Sequence, residues 1–81
     1  MNLSTQGRVE LVRIEPEENM RRFYAIEAGV DLFGTYGVLR TWGRIGQPGR
    51  IRFEPHKNEG CALEEVDFTC RQKIRRGYVE R

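Results

Sequence analysis

The stretch from Tyr36 to Glu54 constrains this chain most. Two alternating runs, Tyr36 to Arg44 and Arg50 to Glu54, are joined by Gly46-Gln47-Pro48-Gly49. Successive side chains of a strand point to opposite faces. In the first run Leu39, Thr41 and Ile45 therefore share one face, and Val38, Arg40, Trp42 and Arg44 share the other. Pro followed by Gly suits the two central places of a type II turn, because Pro presets φ and Gly accepts a positive φ. The chain is expected to double back here as a hairpin, with Ile51 and Phe53 inward and Arg50, Arg52 and Glu54 outward. Such a hairpin can present Arg40, Trp42, Arg44, Arg50 and Arg52 on one surface. Whether all five share a face depends on its register, which sequence leaves open.

Two more strands precede it. Val9 to Glu15 puts Val12 and Ile14 on one side and Val9, Leu11 and Arg13 on the other. Pro16 ends that run, and Glu17-Glu18-Asn19 reads as a polar loop. Phe23 to Ala28 carries Tyr24, Ile26 and Ala28 on one face. Between it and the hairpin, Leu32 and Phe33 are unusually apolar for a connection, and they are expected to fold back over an edge of the core. From about Glu59 to Arg76, Leu63, Val66, Cys70 and Ile74 recur at helical spacing, with Ala62 beside them. Acids come early in this segment (Glu59, Glu64, Glu65, Asp67) and bases late (Arg71, Lys73, Arg75, Arg76), an order that complements a helix dipole. Gly77 is placed as its stop. Phe68 falls off the stripe, to be either exposed or in contact with the loop around Phe33.

A strand meander followed by one helix gives an α+β domain: an antiparallel β-sheet of four to five strands packed on one face by a C-terminal α-helix. With 81 residues the chain makes one domain. Residues 1–8 are expected to be a flexible lead, 9–78 the domain and 79–81 a tail. Hydrophobic residues at 38% and aromatics at 10% separate it from a disordered segment. No stretch approaches the roughly 20 apolar residues that span a bilayer. Met1 to Glu15 holds no apolar core of a signal peptide. Cys61 and Cys70 do not make a disulfide framework. A cytoplasmic location and no membrane partner are expected.

The formal net charge of +2 is too small to suggest a partner, but its distribution is uneven. From Tyr36 to Phe53 there are four arginines and no acid; from Arg71 to Arg76 there are four basic residues and no acid. The remaining six basic residues therefore face all twelve acids elsewhere in the chain. Arginine suits bidentate phosphate contacts and stacking better than lysine. The basic helix end alone has a simpler role in balancing the dipole; it gains meaning only if it lies beside the hairpin.

Catalytic and metal chemistry find little support. His56 is the single histidine. Cys61 lies five residues from it, but Cys61 and Cys70 are nine apart, half a turn out of phase on a helix. The Cys and His spacing does not match a zinc site. No glycine-rich phosphate loop is present. Glu15, Glu17 and Glu18 read as a solvated loop rather than an acid–base pair. Neither an enzyme, a metal, a cofactor nor a small-molecule substrate is expected.

Trp42 is the only tryptophan. A lone Trp commonly belongs to a core. Here its neighbours of the same parity are Arg40 and Arg44, which suggests a wet face, and Gly43, Gly46 and Gly49 leave room for a partner's backbone. An aromatic plane beside guanidinium groups suits a nucleotide, with ring against base or sugar and arginine against phosphate.

These residues resemble the WGR domain family. Trp42-Gly43-Arg44 followed by Ile45-Gly46-Gln47-Pro48-Gly49 looks like the family's motif and turn. Asn19 to Ala25, Leu32-Phe33-Gly34, Arg40 two positions before Trp42, and Lys73-Ile74-Arg75-Arg76-Gly77-Tyr78 also fit. The resemblance covers about residues 9 to 78, most closely with standalone bacterial members, and implies an antiparallel sheet with one packed helix. In poly(ADP-ribose) polymerases such a domain contacts DNA at a break. Carried over, Trp42 packs on a sugar near a strand end, Lys73 approaches the backbone, and Arg44 contacts either a phosphate or a neighbouring domain. The chain has no catalytic domain and no zinc fingers to serve as that neighbour. The resulting expectation is a nonenzymatic module binding DNA ends or nicks through Trp42, Arg44, Arg40, Arg50, Arg52, Lys73, Arg75 and Arg76. The alternative is a protein–protein interaction module using the same surface.

Overall fold

A computed structural model describes residues 4–81, with side chains from residue 7 onward. It contains strands β1 (Ser4–Glu15), β2 (Met20–Val30), β3 (Tyr36–Arg44), β4 (Arg50–Pro55) and β5 (Val79–Glu80), and one helix, α1 (Glu59–Arg75). The strands form one antiparallel sheet in the order β4-β3-β2-β1-β5. The α+β architecture expected from the sequence is the one observed. Among the described residues, no helix is long and apolar enough to cross a membrane.

Two boundaries differ. Of the lead expected over 1–8, residues 1–3 lie outside the described residues. From Ser4 the chain is already in β1, through a bulge between Gln6 and Val9 where Gly7 takes φ 68°. A bulge breaks the alternation of apolar side chains, so this part of the strand carries no period-2 signal. At the other end Val79 and Glu80 pair with Val12 and Leu11 where a tail was expected.

Side-chain parity follows the ladders, since directly opposed residues point to the same face. Leu11 stands opposite Tyr24, Tyr24 opposite Trp42, and Trp42 opposite Arg50. The adjoining row runs Val9, Ile26, Arg40, Arg52. The helix lies on this face: Leu11, Tyr24, Ile26, Ala28 and Val38 form a single buried cluster with Ala62, Val66 and Tyr78. Leu11, Ile26 and Val38 are the largest fully buried side chains, each stabilising the fold by about 2 kcal/mol.

This reverses part of the sequence reading. Arg50, Arg52 and Glu54 share the helix side of the sheet, and Ile51 and Phe53 point to the open side. Leu32 and Phe33 do not fold back. They are 71% and 91% exposed, at the tip of a turn in which Asp31 Oδ1 accepts hydrogen bonds from the Phe33 and Thr35 amides, each at 2.9 Å. The helical stripe is also shifted: α1 buries Ala62, Val66 and Thr69, whereas Leu63 and Ile74 are exposed. Phe68 is half exposed. Small residues face the sheet because Tyr24, Ile26 and Tyr78 already fill the space between the layers.

Candidate nucleic-acid interface

The hairpin register settles what parity left open. Arg40 opposes Arg52 and Trp42 opposes Arg50, so these four share one face, and Arg44 follows at the same parity. β2 and β1 extend that last row, because Arg44 opposes Arg22 and Arg22 opposes Arg13. The helix covers the middle of this face and stops before the arginine row. What remains is a groove of about 480 Å³ whose lining includes Trp42, Arg22, Arg44, Arg52, Lys73 and Tyr78.

The turn at the groove's lip differs in detail from expectation. Its hydrogen bond runs from the Gln47 amide to the Arg44 carbonyl at 3.0 Å, with Gly46 at φ 93°; Gly49 follows at φ 79°. Gly43 and Gly49 do not leave room for a partner. A Cβ at Gly43 would lie 2.8 Å from Gly49 Cα, and one at Gly49 would lie 2.7 Å from the Phe23 ring. The two glycines let the strands close under Phe23, and of the three glycines around this turn Gly46 alone faces open space.

Trp42 is half-buried and packs against the core cluster, so it is neither a sealed core residue nor a free flag. Arg40 is occupied. Its side chain is 15% exposed and donates to Glu54 Oε1 at 2.7 Å, Tyr24 Oη at 2.8 Å, Thr69 Oγ1 at 3.2 Å and Glu65 Oε2 at 2.8 Å. Burial alone would lower its pKa. Bonds to Tyr24, Glu54 and Glu65 outweigh that and raise it above the ordinary arginine value. The same contact, with help from Thr69, holds Glu65 below the usual carboxylate range.

Lys73 is in the opposite situation. It sits in the last turn of α1, half-buried, with Nζ 4.5 Å from the Tyr24 ring centroid and 5.3 Å from that of Tyr78. The helix end creates this cradle. Gly77 takes φ 98°, its amide donates to Ile74 O at 3.0 Å, and the Tyr78 amide donates to Lys73 O at 3.1 Å. That paired cap swings Tyr78 back alongside Lys73. Among the described residues, no carboxylate lies within ion-pair distance of Lys73. Burial lowers its pKa, and the charges of Arg76, Arg40 and Arg22 lower it further. Burial and three arginine charges thus disfavour the charged form of Lys73 in the free protein.

The other expected residues fall around this point. Arg44 is exposed and held in place by Asn19, donating to its backbone carbonyl and to Oδ1, both at 3.2 Å. Asn19 takes φ 53° after the 3-10 turn Pro16–Glu18, a conformation Asn tolerates. Arg52 touches Glu54 only at 3.8 Å and is 69% exposed. Arg50, Arg75 and Arg76 are exposed and have no ion pair among the described residues. The sequence reading passed over Arg22, although it shares strand parity with Tyr24 and Ile26.

The domain is thus an α+β unit, a helix-capped antiparallel sheet with an aromatic and cationic groove at one end; no metal-binding cluster of His, Cys, Asp or Glu occurs among the described residues. Residues 7–81 match the model of the WGR domain, and the chain belongs to the WGR domain family. It is similar to the uncharacterized protein y4dW of Sinorhizobium fredii (strain NBRC 101917 / NGR234), 37% identical over 79 residues. The match covers 98% of this chain and 39% of that bacterial relative, so the chain spans well under half of the relative's length. No solved structure gives a significant match.

Proposed function

We propose that this domain is a nonenzymatic nucleic-acid-binding module that grips the sugar–phosphate chain of DNA, with preference for ends or nicks. The observation that carries the reading is Lys73, a half-buried cation set against two aromatic faces, with arginines near it and, among the described residues, no carboxylate within ion-pair distance, although Glu18 and Glu54 also line the groove. The groove offers Trp42 for stacking on a sugar or base, and Arg44, Arg22, Arg50 and Arg52 for phosphates. Arg75 and Arg76 extend the cationic margin. Arg40 acts differently from its neighbours: tied to Glu54 and Glu65, it fixes the floor of the groove and adds little charge to the ligand. Base-specific readout is not part of the reading, because the exposed face of the helix carries Leu63, Glu64, Asp67 and Phe68 rather than a set of base-reading side chains.

The test is fluorescence anisotropy with blunt, nicked, circular and single-stranded DNA over a range of salt. If about four phosphates are neutralised, the log–log salt slope should be roughly −3.5. Trp42→Ala, checked for folding by circular dichroism, should weaken binding about thirtyfold, in line with base or sugar stacking of about 2 kcal/mol. Failure to bind any of these DNAs at low salt overturns the reading. Equal affinity for circles and ends removes only the end preference. A protein partner on the same Trp/Arg surface would show a much shallower salt dependence.

A further inference from the structure

We propose that the open face of the sheet, opposite the groove, is the dimerisation surface of this domain, and that its occupant is the same face of a second copy. The described helix covers only the other side, where Arg40 reaches Glu65 and Lys73 reaches Tyr24. The open side carries Ile51, Phe53, Leu39, Phe23 and Val12, in register through Thr41, Ala25 and Gly43. Ile51 is 69% exposed. An antiparallel sheet facing water on one side normally shows polar residues there.

The shape of this face is self-complementary. Ile51, Thr41 and Ala25 stand directly opposite one another on β4, β3 and β2. Ile51 is a knob. Ala25 is the floor of a hollow of about 280 Å³, walled by Phe23, Ile45, Arg8, Glu10 and Arg81. Knob and hollow lie on either side of Thr41, each about 4.8 Å away. A twofold axis running along β3, parallel to the strands, therefore sets each copy's Ile51 over the partner's Ala25 and brings the two Thr41 side chains together. Isologous interfaces require this kind of reciprocal fit.

Charge and area agree. Arg8 pairs with both Glu10 and Glu27 on this face, and Arg81 lines the same hollow beside Glu10, so two bases stand with two acids and a second copy meets little repulsion. The helix side, with its unpaired lysine and arginines, would repel its own copy. Five strands spaced about 4.8 Å apart and a nine-residue β3 give a face of about 24 by 30 Å. Before side-chain relief is counted, that approaches the roughly 800 Å² per partner of a standard interface. The pair would be an aligned sandwich, with its two grooves turned outward in opposite directions. The dimer does not depend on what the grooves bind.

Sedimentation equilibrium of the full chain, across concentrations up to the millimolar range, tests this. The expected mass is twice the 9.5 kDa of the monomer. Ile51→Lys should weaken association about thirtyfold or more, as loss of an interface anchor does. Because Ile51 is exposed, circular dichroism of that variant should match the unsubstituted protein. Phe33→Ser, at the exposed turn far from Thr41, should dimerise normally. A monomeric unsubstituted chain, an assembly larger than a pair, or a dimer unaffected by Ile51→Lys but lost with Phe33→Ser would each overturn the proposal.

Discussion

Arg40 and Lys73 lie on the same face of the same sheet and are treated in opposite ways. Under the middle of the helix, Arg40 has two carboxylates, a phenol and a hydroxyl within hydrogen-bond distance. At the helix end, Lys73 has two aromatic rings and a ring of like charges. The first cation is satisfied within the chain. The second has no ion-pair partner among the described residues. Position along a basic sequence therefore does not tell a satisfied cation from an unsatisfied one; the internal counter-charges do. The same distinction separates Arg71, which pairs with Asp67 at 2.9 Å, from Arg75 and Arg76 one turn further on.

The largest expected effect comes from breaking the satisfied half. Arg40→Met removes one partner of a network that is mostly shielded from solvent and leaves Glu54 and Glu65 facing each other. Such a loss costs about 3 kcal/mol. Urea unfolding should show the midpoint falling without a change in slope, since the surface exposed on unfolding stays the same. If Arg40→Met unfolds at the same urea concentration as the parent, the four contacts have no structural weight and the comparison fails from that side.

Substituting Lys73 should do the reverse. Lys73→Met keeps the aliphatic stem that packs between Tyr24 and Tyr78, and it removes a charge that burial and neighbouring arginines already disfavour. Stability should hold or rise slightly. DNA affinity should fall about tenfold, and the salt slope should become shallower by about 0.9, the share of one phosphate. Loss of stability with unchanged binding would place Lys73 with Arg40 instead of against it.

How much of this was legible in the sequence depends on which physical property each step used. Strand parity is local, so the grouping of Arg40, Trp42 and Arg44, and of Tyr24, Ile26 and Ala28, could be read directly. Which side of the sheet the helix would take could not. Ile51 and Phe53 read as inward because apolar residues usually are, yet they face the open side, and Trp42 with its arginines lies under or beside the helix. The buried helix face was missed for a related reason: Leu63 and Ile74 look like a stripe, but bulky tyrosines on the sheet side leave room only for Ala62, Val66 and Thr69. Counter-charges at long range were also out of reach, since Glu65 is 25 residues from Arg40. The bulge at Gly7 hid the start of β1 by interrupting its alternation. Family motifs, in contrast, marked Lys73, Gly77 and Tyr78 together before the helix cap explained their spacing.

The smallest expected effect concerns pH and separates the two cations once more. Glu65 has a folded pKa below its ordinary value, chiefly because Arg40 donates to it. A carboxylate of this kind contributes stability that is present above its unfolded pKa and lost as pH falls through the folded one. The urea midpoint should therefore decline as pH drops from about 5 to about 3. Glu65→Gln should flatten part of that decline, because an amide does not titrate and still accepts from Arg40. Glu65 is a third exposed, so solvent screening keeps the difference modest. Lys73 titrates far above this window and should leave the acid limb unchanged when replaced by Met. An acid limb that moves with Lys73→Met but not with Glu65→Gln would mean that the satisfied and unsatisfied halves of this face are coupled rather than distinct.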